Sequence, residues 1–232
     1  TLAIGALNSI ARLLVPSAYA RLAPKFSALD LDIHEVAPAE AIDLLYGRRL
    51  HMALIARASI AGASLSFHQT EVMSDPYVLA VPKGLDLSRV RDPDKDLPEK
   101  ERQIVNSCIQ FNFGSQHTQR VAEWYRRVLP RHRLVAQTRT YDMALSLVEA
   151  GAGVALVPAL TAYLGKGVQP FAVTLYKTPM PERTIVALMP SQYVRLQPYA
   201  AFRAALVEAG KAISNPDSEP TPPFIVGSAN GD

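Results

Sequence analysis

The alternation of apolar and polar positions is clearest between Tyr141 and Pro158, which read YDMALSLVEAGAGVALVP. Met143, Ala144, Leu147 and Val148 recur at helical spacing and form one apolar stripe. Thr140 and Asp142 supply cap and first-turn residues, and Gly151 can take the left-handed conformation that closes a helix. Gly153 permits a tight reversal. Val154 to Val157 is then a short apolar run with strand character, ended by Pro158. The stretch predicts helix, glycine turn, buried strand.

The same patterning runs along the rest of the chain. Leu2 to Ala6 reads as a strand bounded by Asn8 and Ser9. A helical pattern with Ala11, Val15, Tyr19 and Leu22 follows, and Pro16 places the start of its regular part near Leu13. Leu31 to Val36 and His51 to Ile55 read as strands around a helix from Pro38 to Gly47. This alternation implies a parallel sheet with right-handed crossovers. Leu65 to Val72 and Tyr77 to Val81 are extended runs separated by Ser74-Asp75-Pro76. Lys83 to Arg102 has no sustained period and predicts a surface connection with one helical turn. Ile104 to Phe113 predicts a strand leading into Gly114-Ser115-Gln116-His117-Thr118, which opens an amphipathic helix to about Leu129. Arg133 to Thr138 is a strand. After Pro158 come a short helix, extended runs at Val168 to Leu175 and Thr184 to Met189, and a last helix from Leu196 to Ile213. Residues 214–232 are rich in Pro, Ser and Asp and predict a tail, unless Phe224, Ile225 and Val226 dock.

Composition narrows the function classes. With 49% hydrophobic and 19% charged residues the chain suits a globular α/β protein of one large or two small domains. A net charge of +3 is too weak for a nucleic-acid stripe. The densest basic cluster, Arg126, Arg127, Arg131, His132 and Arg133, reads as a solvated helix end. The single cysteine, Cys108, excludes an intrachain disulfide and sits in the apolar context of a buried filler. His34, His51 and His68 lie on separate strands without metal-ligand spacing, so no metal site is expected. No nucleophile elbow, phosphate loop or dinucleotide fingerprint occurs, so neither an enzyme nor a cofactor is expected.

Several segments together resemble LysR-type transcriptional regulators. LVEAGAGVALVP is similar to that family's "LVxAGxGVALxP". LAIGALNSIARLLVPSAYARLAPKF looks like its opening strand, polar turn and helix, HMALI like its "DLAL" strand, and YVLAVPK like its "LVLVVPxxHP" without the His-Pro. FNFGSQHTQRVAEWY takes the place of its Ser-Gly turn and following helix. The resemblance covers about Leu2 to Ala212. It implies a two-lobed α/β fold like type II periplasmic binding proteins, with two crossovers. Lobe one would hold 1–74 and 176–213, lobe two 75–175, and 214–232 would be a tail. A small, anionic effector would lie between the lobes, with Asn8, Ser9, Ile10, Arg57, Phe113, Ser115, Gln116, His117 and Thr118 around it. Strand carboxyl ends and helix N-termini favour such ligands.

Each of those residues has a plainer role. Ser9 and Ser115 read equally as helix caps, Asn8 as a turn residue and Arg57 as a surface cation. By resemblance the chain is the ligand-sensing, homodimerising effector-binding domain of a cytoplasmic regulator. The winged helix-turn-helix that would bind DNA is not expected in this chain. The dimer would pair the helix near Leu13 to Phe26 with that of Tyr141 to Ala150, since both carry surplus apolar residues, among them Leu145. The alternative is a solute-binding protein of a transporter with the same fold.

Overall fold

The computed structural model describes residues 1–60, 66–112, 115–163 and 168–229; at 115, 116 and 229 only the backbone is described. In chain order the elements are β1 (Leu2–Ala6), α1 (Asn8–Leu22), β2 (Leu31–Glu35), α2 (Pro38–Tyr46), β3 (Met52–Ala56), β4 (Phe67–Asp75) and β5 (Tyr77–Pro82). Then come α3 (Pro93–Asp96), α4 (Glu99–Val105), β6 (Ser107–Phe111), α5 (Ser115–Val128), β7 (Arg133–Thr138), α6 (Tyr141–Glu149) and β8 (Ala155–Pro158). The chain ends with β9 (Val173–Lys177), β10 (Arg183–Pro190), α7 (Tyr199–Lys211) and α8 (Pro223–Ala229). They form two compact units, 1–75 with 183–214, and 76–182 with 215–232.

The first unit is built on one sheet, in the order β2-β1-β3-β10-β4. β1 lies parallel to β2 and β3, and β10 lies antiparallel to β3 and β4. Alternation along β3 shows why both faces are covered. Met52 and Leu54 join α1 and α7 in one core, while Ala53 and Ile55 join α2 in another. α1 begins at Asn8 rather than near Leu13 and runs straight through Pro16. That proline is exposed, so only a solvent-side hydrogen bond is lost, while Ile10, Leu14, Val15, Ala18 and Leu22 hold the other face in the core. At the edge of this unit Arg183 donates from Nε (3.0 Å) and Nη2 (2.7 Å) to one buried oxygen of Asp75, its register partner.

In the second unit β5 is flanked antiparallel by β8 and β9, and β6 pairs in parallel with β7. A parallel bridge between Cys108 and Val154 joins the two sets. Gly153 makes that junction possible: a Cβ there would lie 2.1 Å from the Ser107 carbonyl oxygen. Gly151, at φ +79°, closes α6 as its position predicts. The segment from Lys83 to Arg102 holds two helices, α3 and α4, where one turn was expected. Asp92 and Pro98, each just before the first residue of one of them, set the starts.

Two boundaries differ from the sequence expectation. β9 pairs with β5 in the second unit, so the chain returns to the first unit after Glu182. Residues 215–229 are not a free tail. They pass to the second unit, a third passage where two were expected, and Glu219 bridges Tyr176 on the edge of β9. Phe224 and Ile225 are buried in the core beside Trp124 and Val128. The burial of two large apolar side chains explains the docking of so polar a segment.

Candidate functional site

Two polar turns follow the carboxyl ends of parallel strands. In the first unit, β1 leads directly into α1. The N-cap is Leu7, with no side-chain cap bond, so Ser9 is not the cap that its type suggests. It lies inside the first turn, 7% exposed, with its Oγ buried and without a hydrogen-bond partner. The backbone N–H groups of Asn8 and Ser9 donate to no acceptor among the described residues, whereas Ile10 and Ala11 both donate to Leu7 O. Asn8 is exposed and Ile10 is buried. Arg57 follows β3, the neighbour of β1, and pairs on the surface with Glu71 at 3.0 Å. The turn thus presents free donors, a buried hydroxyl and the positive end of a helix dipole, a combination that suits a carboxylate.

In the second unit the corresponding turn lies between β6 and α5. Phe113 lies outside the described residues, as do the side chains of Ser115 and Gln116 at the start of α5. His117 is described and is central. Its Nδ1 lies 2.9 Å from the Tyr77 hydroxyl and its Nε2 lies 3.1 Å from the Tyr141 hydroxyl. In a neutral imidazole one nitrogen donates and the other accepts, so one tyrosine accepts and the other donates. Tyr77 also stacks on His117 at 5.6 Å, and Tyr141 stacks on Phe111 at 4.0 Å and 15°. His117 meets Phe111 and Tyr141 edge-on. Thr118 lies one residue on; its carbonyl accepts from the buried Gln110 amide at 2.8 Å, which ties the helix start to β6.

The structure therefore groups Asn8, Ser9 and Ile10 on one turn and His117 with Thr118 on the other. Tyr77 and Phe111 were not singled out from the sequence. Each sits at the terminus of its strand, and the only sequence signal was an aromatic beside a polar turn. Thiol chemistry is not available to this site. Cys108 is fully buried in β6, and burial pushes its pKa up to about 12, so the nucleophilic thiolate is not populated near neutrality. Among the described residues no group of three or more His, Cys, Asp or Glu is placed to hold a metal, and no helix is long and apolar enough to cross a membrane.

The comparisons with known proteins bear on this arrangement. Residues 1–211 match the family described as the LysR substrate binding domain. No curated protein matches the chain. Among solved structures, the reduced OxyR regulatory domain from Pseudomonas aeruginosa is similar over 93% of this chain and 98% of its own, with 16% identity and a TM-score of 0.65. HinK, a LysR family transcriptional regulator from Pseudomonas aeruginosa, is similar over 90% of this chain and 71% of its own, with 13% identity and a TM-score of 0.69. An OxyR C206 mutant from Corynebacterium glutamicum is similar over 90% of this chain, with 18% identity and a TM-score of 0.65, and the match spans 64% of that longer protein. At these identities the structures establish the fold, the periplasmic-binding-protein-like α/β architecture of regulator effector domains. With its strand order, its two polar turns and a family match over 211 residues, this chain belongs to the LysR substrate-binding domain family.

Proposed function

We propose that the chain is the ligand-sensing, dimerising effector-binding domain of a LysR-type DNA-binding transcriptional regulator in the cytoplasm. It binds a small anionic metabolite and catalyses no reaction. DNA is engaged by a winged helix-turn-helix outside these 232 residues. The observation that carries the ligand reading is Ser9. A buried hydroxyl with no partner is costly, and it lies beside unbonded N–H groups at a helix start. A ligand carboxylate would satisfy all of them together. Each unit carries a polar turn of this kind, the second with His117.

Calorimetry against a panel of small mono- and dicarboxylates tests this. One member should bind, and Ser9→Ala should weaken it about tenfold, the cost of one hydrogen bond to a charged group. Unchanged affinity in Ser9→Ala would remove the site. The dimer reading is supported by α6, where Met143 is 55% exposed and the half-buried Leu147 lies one turn on, and by the exposed Tyr19 on α1. Leu145, expected on that outer face, is fully buried and cannot contribute. Met143→Glu should convert a dimer to a folded monomer by light scattering. A parent protein that is monomeric at high concentration would instead favour the solute-binding reading.

A further inference from the structure

The basic cluster that reads as a solvated helix end is not uniform. His132 turns inward: its Nδ1 lies 2.7 Å from the Leu129 carbonyl oxygen and its ring lies 5.6 Å from that of Tyr125. Arg131 and Arg133, on either side of it, line a cavity of about 500 Å³ together with Asp94, Arg102, Gln103 and Asn106. Three guanidinium groups from two segments, α4 and the turn into β7, thus line one cavity with a single carboxylate. Asp94 is engaged by Arg131 at 3.3 Å, and Arg102 is paired with Glu99. Arg133 is exposed and has no hydrogen-bonded or ion-paired side-chain partner among the described residues. The walls are pinned by their backbone. Arg102 donates to Asp94 O at 3.1 Å, the Asn106 amide donates to Arg102 O at 3.2 Å, and Arg133 N donates to Asn106 O at 2.8 Å.

Like charges converge at a cost unless a counter-charge joins them. Guanidinium forks match the oxygens of a phosphate in pairs. The volume is larger than a bare oxyanion needs and lies within the range of small-molecule sites. Asp94 would repel a second anionic group but accepts from a hydroxyl. We propose that this cavity is a second ligand site, on the second unit, for a small phosphomonoester that carries hydroxyl groups. Its phosphate faces Arg131 and Arg133, and a hydroxyl donates to Asp94. The site shares no residue with the turns of α1 and α5.

Calorimetry on the whole chain with ribose 5-phosphate, inorganic phosphate and sodium chloride at matched ionic strength tests the proposal. Ribose 5-phosphate should bind, and inorganic phosphate should bind more weakly. Arg133→Ala should weaken ribose 5-phosphate about tenfold, as for loss of a charge-assisted bond, without moving the melting temperature. Asp94→Asn should narrow the preference for the sugar phosphate by strengthening inorganic phosphate. Equal effects of chloride and ribose 5-phosphate on the protein would reduce the site to screening and overturn the proposal. So would an unchanged affinity in Arg133→Ala. Ser9→Ala with His117→Ala should leave this binding intact; if they abolish it, the phosphate occupies the effector turns instead, and this second site is rejected while the first stands.

Discussion

The turns that open α1 and α5 occupy equivalent places in the two units, each after the carboxyl end of a parallel strand, yet they are finished differently. At α1 a buried hydroxyl and two N–H groups are left without partners among the described residues. At α5 the imidazole of His117 is spanned by two tyrosine hydroxyls and walled by Phe111 and Tyr141. The first turn stores unmet hydrogen-bonding capacity. The second spends its polar groups on one another and so fixes a shaped wall. Under the proposed function, unmet donors would reward any anion, whereas an aromatic wall would reject by shape.

Mutations should separate the two. Tyr141→Ala removes a stacked ring and one hydroxyl from the aromatic wall, and should destabilise the second unit by about 3–5 kcal/mol. Denaturant melts read this, and hydrogen exchange should localise the loss to α5 and α6. A loss spread equally over both units would break the comparison. Tyr77→Phe keeps the ring and deletes one bond to His117, so a cost of about 1 kcal/mol is expected with the stacking retained. A ligand selected by the wall should then bind with altered preference among the carboxylates rather than uniformly more weakly.

Acid should act on the first unit. Burial, followed by the positive charge of the N-terminal amine, lowers the pKa of His51 below its ordinary 6.5. Its Nδ1 accepts from Ala3 N at 2.9 Å, which only the unprotonated nitrogen can do. A depressed histidine contributes stability that is fully present above pH 6.5 and lost as the pH falls through the lower folded value. His51→Gln should flatten the acid limb of the melting profile. Ser9→Ala should not lower stability and should raise it by up to about 1 kcal/mol, because it deletes a hydroxyl buried without a bond. If Ser9→Ala melts well below the parent, the hydroxyl is structural and the contrast between the turns disappears.

Much of this was legible in the residue pattern. The 141–158 unit folds as its caps and glycines indicate, with Thr140 Oγ1 accepting from Met143 N at 3.2 Å, but its buried face is Tyr141, Ala144, Leu145 and Val148 rather than the stripe of Met143, Ala144, Leu147 and Val148. Periodicity could not tell how far an apolar helix is enclosed. Leu145 and Met143 are both apolar residues of α6, yet one is fully buried and the other 55% exposed, because β5 and β6 pack against only one side. Pro16 misled for a similar reason. A proline inside a helix costs one backbone bond, but the cost is borne when the opposite face is anchored by five buried side chains.

The sequence by itself determined the class of fold, the alternation of strands and helices, the places of the two polar turns and the family. These rest on local periods and on short motifs whose chemistry is read in order along the chain. Only the tertiary structure decided that Ser9 lies without a partner, that Tyr77, Phe111, His117 and Tyr141 form one wall, and that Arg102, Arg131 and Arg133 share a cavity. Tyr77 and Tyr141 are 64 positions apart and meet through a histidine that contacts both. Hydrogen bonds, ring contacts and charge pairs depend on distances of a few ångströms, and those are set by the sheet that brings remote strand ends together.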